Sequence, residues 1–310
     1  MGASDMFTLP VAMTWAYDRL VNFLKVLMLN KFLRYLKALR SMQRVNMALA
    51  RGGATSSLRI LDLTNPVSWE FSGFSQNGED GIIDILTRQI INPNRYFIEI
   101  GASDALENNT TWLAVARRFS GIWVEGDQAT SSWCSYLFTA LNYGVQSICM
   151  FVTKNTVEEL KEKALFTNPD VFSLDIDGND YFIAEAILKS GMRPRIFVVE
   201  YNSTFGPEMS VTIPYQESFR ICRNFGENLY YGCSISAWRN LFSKFGYSFV
   251  TVDTNGVNGI FIDPQEFDEN FIKNIRGKNF ADNFSQLREY KKPWISQFEL
   301  IASKDFLEVT

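Results

Sequence analysis

The sequence predicts an α/β protein built on a doubly wound, mostly parallel sheet, with one antiparallel strand in a C-terminal hairpin and a helical arm at the N-terminus. Three observations lead there. Five short apolar runs, YFIEI, GIWVE, VQSICMFV, VFSLDI and RIFVVE, alternate with helix-like segments, as strands buried on both faces do. Polar and acidic residues collect at the ends of these runs, where such sheets place their ligands. Finally, Tyr247 to Val252 and Val257 to Ile262 flank Asp253-Thr254-Asn255-Gly256, and an Asn-Gly pair between two apolar runs signals a hairpin.

Composition bounds the function. A chain of 310 residues with 46% hydrophobic content buries a full α/β core and one appendage. It contains no His, which removes Ser-His-Asp and Cys-His catalysis and the usual zinc ligand sets together. Any general base is therefore Asp, Glu, Lys, Tyr or Cys. Cys134, Cys149, Cys222 and Cys233 form no C-x-x-C pair and read as buried thiols of a reducing, cytoplasmic compartment. The net charge of -4 divides into about +6 for residues 1–52 and about -10 for the rest. So acidic a body is not built to bind nucleic acid.

The arm, 1–52, is basic and helical from Val11 to Leu49, with Leu20, Phe23, Leu24, Leu27, Met28, Phe32 and Leu36 at spacings of three and four. Charge interrupts it too often for a bilayer span, no signal-peptide cleavage site follows, and Met6 spoils a myristoylation pattern at Gly2. It is expected to pack on the body or on a second subunit of a homo-oligomer; the alternative is a peripheral contact with an anionic membrane. Arg51 to Ser57 is the expected hinge. Residues 53–95 read as a linker and a lid helix, in which Gln76, Asn77, Glu79 and Asp80 either fold over a ligand or simply cap that helix.

Residues 96–263 form the α/β domain. Tyr96 to Ile100 is its first strand, ending in the small-residue turn Gly101-Ala102-Ser103, where a ligand can approach the backbone. A helix from about Leu106 to Phe119 leads to Gly121 to Glu125, a second strand ending on a carboxylate, the arrangement nucleotide-binding folds use for ribose hydroxyls. Helices at Ser131 to Asn142 and Thr156 to Ala164 bracket the third strand. The fourth strand, Val171 to Ile176, runs into Asp175-Ile176-Asp177-Gly178-Asn179-Asp180, and the fifth ends on Glu200, Tyr201 and Asn202. Residues 203–232 are a long, aromatic, Pro- and Gly-containing insertion, expected to build an acceptor pocket because loops of that length are usually functional. The tail, 264–310, gives no clear signal.

Taken together, FIEIGASDALENNT, GIWVEGD, LDIDGNDYF, RIFVVEYN and GYSFVTVDTNGVNGIFID resemble the FkbM-like members of the class I, Rossmann-like S-adenosylmethionine-dependent methyltransferases. The second Gly usual in that family's first turn is replaced here by Ala105 or Leu106. The resemblance implies that Glu99 and the backbone of Gly101, Ala102 and Ser103 cradle the methionine part of S-adenosylmethionine, and that Glu125, beside Gly126 and Asp127, takes its ribose diol. Asp104, Glu107 and Asn108 to Thr110, Asn109 among them, would line the mouth.

LDIDGNDYF is also similar to a segment of the macrocin O-methyltransferases, where a divalent ion positions the acceptor hydroxyls. Adjacent strand ends lie about 5 Å apart, so Asp175, Asp177, Glu200 and Asn202 could converge on Mg²⁺ or another divalent cation. Without metal, Asp175 or Asp177 could serve as general base. The same Asp-Gly-Asn-Asp run also reads as a turn capping the next helix. The leading expectation is an O-methyltransferase acting on a sugar, glycan precursor or similar polyol. An inactive methyltransferase-like module docked by its arm is the alternative, and a nicotinamide-dependent oxidoreductase is weaker, because G-x-G-x-x-G is missing.

Overall fold

The structure, a computed structural model, describes residues 11–139, 141–142 and 144–310, and within 11–21 only one side chain, that of Arg19. Gly2 and Met6 lie outside them, as does the side chain of Leu20. The chain divides into two units, 1–44 and 45–310. Helix α1, Val11–Ser57, runs from the first into the second. In the first unit every side chain from Asn22 to Arg40 is exposed except Ala38, which is half-buried. Among the described residues no helix is long and apolar enough to cross a membrane.

The expected hinge at Arg51 to Ser57 is helical instead. Gly52 explains this, because a Cβ there would lie 2.5 Å from the Trp112 ring, so the glycine makes room for packing rather than for flexibility. The hydroxyls of Thr55, Ser56 and Ser57 donate back to carbonyls of the preceding turn, which quietens the polar end of the helix.

Helix α2, Glu79–Gln89, is buried from Glu79 to Thr87 and so packs into the body. Asp80 anchors its start: Oδ2 accepts the N–H groups of Gly73, Phe74 and Ser75 at 2.7, 2.7 and 2.9 Å, while Oδ1 is buried without a partner. Burial pushes its carboxyl up to about 7. The folded chain thus holds a proton at Asp80 that the unfolded chain loses near pH 4. This contribution to stability is complete below that pH and is lost as pH rises through about 7. Asp80→Asn is expected to flatten the fall in melting temperature between pH 5 and pH 8.5; an unchanged slope would remove Asp80 from the explanation.

The sheet contains β1 (Tyr96–Ile100), β2 (Ser120–Glu125), β3 (Val145–Cys149), β4 (Val171–Leu174), β5 (Ile196–Glu200), β7 (Ser248–Val252) and β8 (Asn258–Ile262) in the order β3-β2-β1-β4-β5-β8-β7. All neighbours are parallel except at β8, which runs antiparallel to both β5 and β7. The predicted doubly wound sheet with one antiparallel strand is therefore present. Strands β1 and β4 are buried along their whole length, as their unbroken apolar runs require, and Ile98, Phe172 and Phe197 carry the core through the sheet centre. Because the chain goes outward in both directions from β1 and β4, a crevice opens between their carboxyl ends.

Helices α4 (Gln128–Phe138) and α5 (Val157–Lys163) match the expected segments within a few residues, and α6 (Asp180–Lys189) and α7 (Ile235–Lys244) complete the set around the sheet. The helix after β1 departs from its expected segment. Only α3, Thr111–Val115, forms there, because Ser103 and Ala105 take positive φ (50° and 56°) and hold 101–110 in turns. Ala105 therefore adopts a left-handed backbone that a glycine would take freely, at a cost of about 1 kcal/mol. Ala105→Gly is expected to raise stability by about 0.5 kcal/mol, the gain in the fold being partly offset by the freer unfolded chain. A lower urea midpoint would contradict this.

The tail is structured. It forms α8 (Glu269–Asn274), α9 (Phe284–Tyr290) and α10 (Trp294–Phe298), and its β9 (Leu307–Glu308) pairs antiparallel with β6 (Val211–Thr212) of the insertion. Phe205, Val211, Leu229, Tyr290 and Ile301 make a small second core between tail and insertion.

Candidate functional site

Two turns meet at the crevice. After β1, Gly101 takes φ 84°, and a Cβ there would lie 1.7 Å from the Asp175 carbonyl oxygen, so no other residue fits. Gly101 and Ala102 donate their N–H groups to Val124 O at 3.0 and 3.2 Å, which ties this turn to the end of β2. Glu125 then bridges the turns: Oε2 accepts Ser103 N–H at 3.0 Å and Oε1 accepts Asp127 N–H at 2.8 Å. A carboxylate oxygen has two lone pairs, so each can still accept a hydroxyl. Asp127 caps α4, its Oδ1 taking Thr130 N–H at 2.8 Å and the Thr130 hydroxyl at 2.6 Å, which holds its carboxyl below the ordinary range.

Two cavities lie on this crevice and share Gly101 and Asp175. The larger, about 770 Å³, is walled by Ser103, Glu125, Gly126 and Asp127, by Met150 to Val152 beyond β3, and by Phe219, Arg220, Ile221 and Arg223. The insertion 203–232 thus covers the side next to Glu125, and its Gln216, Glu217, Ser218 and Arg220 line a further cavity of about 600 Å³ beside Phe151. Phe219 packs over Gly178, where a Cβ would lie 2.3 Å from its ring, and the Arg220 guanidinium sits 4.7 Å from the Phe151 ring centre.

The smaller cavity, about 260 Å³, is polar and rich in carboxylates. Glu99, Glu107, Asn109 and Glu200 form part of its wall. Here Glu99 is occupied from within. It accepts the N–H groups of Asn109 and Thr110 at 2.9 and 3.2 Å and the Thr110 hydroxyl at 2.5 Å, and burial raises its carboxyl. Its first task is to fix the turn before α3. Ala102, buried and with its N–H used, and Asp104, whose Oδ1 accepts Leu106 N–H at 3.1 Å, line neither cavity.

Where the cavities meet, ligand oxygens of Asp175, Asp177 and Glu200 all lie within 4.8 Å of one another. Burial pushes Asp175 and Glu200 well above the carboxylate range, and the nearby carboxyl groups of Asp177 and Asp180 add to it. Trp238 Nε1 donates to Glu200 O at 2.7 Å and fixes that strand end. Asp180 plays the other part read in this run: its oxygens accept the N–H groups of Ile176 and Gly178 at 2.8 Å and close the turn. Asn202 is engaged elsewhere. Its amide donates to Leu229 O and Tyr231 O at 2.7 and 3.0 Å and its oxygen accepts Thr204 N–H at 3.0 Å, so it organises the insertion.

Several site residues gave no signal in the sequence. Asn258 opens β8, Nδ2 donating to Glu79 Oε1 at 2.6 Å, while its buried Oδ1 has no partner. Asn108, which the resemblance did place at the mouth, has its Nδ2 buried and unpartnered as well, and both side chains line the smaller cavity. Asn283 and Ser285 reach the same cavity from the tail. The Asn-Gly turn announced the hairpin, but nothing in its spacing showed that its strand would deliver an amide to a cavity.

No family model and no curated protein sequence matches the chain. Among solved structures, an O-methyltransferase from Bacillus cereus in complex with SAH is 14% identical, covering 71% of this chain and 89% of that one, with a TM-score of 0.40. The O-methyltransferase TomG from Streptomyces achromogenes, in complex with SAM, is 13% identical over 61% of this chain and 80% of that one, at a TM-score of 0.38. A Podospora anserina methyltransferase, PaMTH1, bound to SAH, is 13% identical over 54% and 71%, at 0.37. Likenesses this distant identify no activity.

Proposed function

We propose that the chain is an S-adenosylmethionine-dependent O-methyltransferase acting on a hydroxyl of a sugar, glycan precursor or similar polyol. The observation that carries this reading is Glu125, which ties the turns after β1 and β2 together while facing a cavity large enough for a nucleoside. Its two oxygens suit a vicinal diol. Met150, Phe151 and Val152 on one side and Phe219 and Ile221 on the other give an apolar slot for a base. Gly101, held against Asp175, leads from there into the carboxylate-rich cavity, whose acidic groups suit the ammonium of an amino-acid end. S-adenosylmethionine supplies a methyl group on a positively charged sulfur.

With no His in the chain, the proton of the acceptor hydroxyl goes to a carboxylate oxygen of the Asp175–Glu200 pair, which stands where both cavities meet. Asp175, Asp177 and Glu200 converge, and once deprotonated they fit a divalent cation. Asp175, Asp177 and Glu200 would hold it, and its chemistry there would be to lower the pKa of the hydroxyl. Asn108 Nδ2 and Asn258 Oδ1, a donor and an acceptor without protein partners, suit a polyhydroxylated acceptor.

Calorimetry with S-adenosylhomocysteine tests the cofactor reading. Binding to the full chain is expected, and no heat of binding would end it. Excess chelator is expected to stop methyl transfer while leaving that binding intact; full turnover in chelator would assign the acidic cluster to proton transfer alone.

A further inference from the structure

The arm carries large apolar side chains that the structure leaves in solvent. Met28 is 70% exposed, Phe32 56% and Tyr35 59%, with Leu24, Leu36 and Leu39 exposed as well. At 100° per residue these six fall within a sector of about 120° on the helix. Lys31, Arg34, Lys37, Arg40 and Arg44 fall outside that sector, where the exposed Phe23, Val26, Leu27, Leu29 and Leu33 interleave with them; Lys25 falls inside, where a long stem lets its ammonium reach outward. From Arg19 to Leu61 the sequence contains no Asp or Glu. A second copy of this helix would bring like charge against like charge, whereas an anionic surface complements both the apolar sector and the basic flanks.

We propose that the arm, Asn22 to Arg44, lies in the headgroup layer of an anionic membrane, its Leu24–Leu39 sector in the acyl boundary and its basic residues against the lipid phosphates and carboxylates. The helix is too charged to cross, and over 22–40 it presents ~28 Å of such a surface. This inference is independent of the activity proposed above.

Flotation of the full chain with phosphatidylcholine vesicles, with and without phosphatidylserine, tests it. Binding is expected only when phosphatidylserine is present and is expected to weaken at high salt. Each basic residue is worth roughly fivefold in partitioning, so the double variant Lys31→Glu, Arg34→Glu should lose more than ~25-fold. Phe32→Asp should lose at least ~tenfold. Both substitutions lie on solvent-exposed positions, and an unchanged melting temperature of the variants confirms that the chain still folds. No flotation with phosphatidylserine vesicles, equal flotation with neutral ones, or undiminished binding by the charge-reversed variant would each overturn the proposal. So would sedimentation as a dimer that phosphatidylserine vesicles fail to recruit, which would assign the sector to a second copy.

Discussion

Glu125→Ala is expected to weaken S-adenosylhomocysteine binding about 100-fold with little change in the fold. Each hydroxyl held by an ionised carboxylate contributes about 1.5–3 kcal/mol, and the side chain has two oxygens to offer. The substitution also frees Ser103 N–H and Asp127 N–H, which donate to water in exchange because this end of β2 is half-exposed. The loss should therefore appear in affinity and not in the melting temperature. Glu125→Gln separates charge from shape: it keeps one acceptor oxygen but turns an amide towards one of the two N–H groups, so an intermediate loss of about tenfold is expected. Unchanged affinity in both variants would mean that the diol is held elsewhere.

Asp175→Asn and Glu200→Gln are each expected to lower methyl transfer by about 10²–10⁴-fold, the range for loss of a positioned proton acceptor, while S-adenosylhomocysteine still binds. The separation follows from the geometry. The contact that Asp175 makes with Gly101 uses its backbone carbonyl, and its N–H donates to Ile100 O at 3.2 Å, so the nucleotide turn survives loss of the carboxylate. Asp180→Asn serves as the structural comparison, because Asp180 closes the turn through two N–H groups. Its loss should lower stability first and turnover only through that. Single-turnover assays and melting curves on the three variants check both statements, and full turnover by Asp175→Asn would remove the proton-transfer role.

The sheet was legible because β1 and β4 carry unbroken apolar runs and the Asn-Gly turn fixes the one antiparallel strand. The acidic strand ends were legible for the same reason: a strand that ends on Glu125 or Glu200 announces its own terminus. Less could be read where long-range partners override local pattern. A helix was expected from Leu106, yet Glu99 captures the N–H groups of Asn109 and Thr110 and delays it. Asn202 sits at a strand end like its acidic neighbours, but its amide is claimed by carbonyls of the insertion. Asn258, Asn283 and Ser285 join the site from segments whose polar residues look like ordinary turn and cap chemistry. Ala105 takes φ 56°, a left-handed backbone that no feature of the sequence around it announces.

A crystal structure of the full chain with S-adenosylhomocysteine tests the central claim most directly. The ribose hydroxyls are expected on Glu125, the base between Val152 and Ile221, and the sulfur beside the carboxylates of Asp175 and Glu200. A nucleoside bound away from Glu125, or a sulfur remote from Asp175, would contradict it.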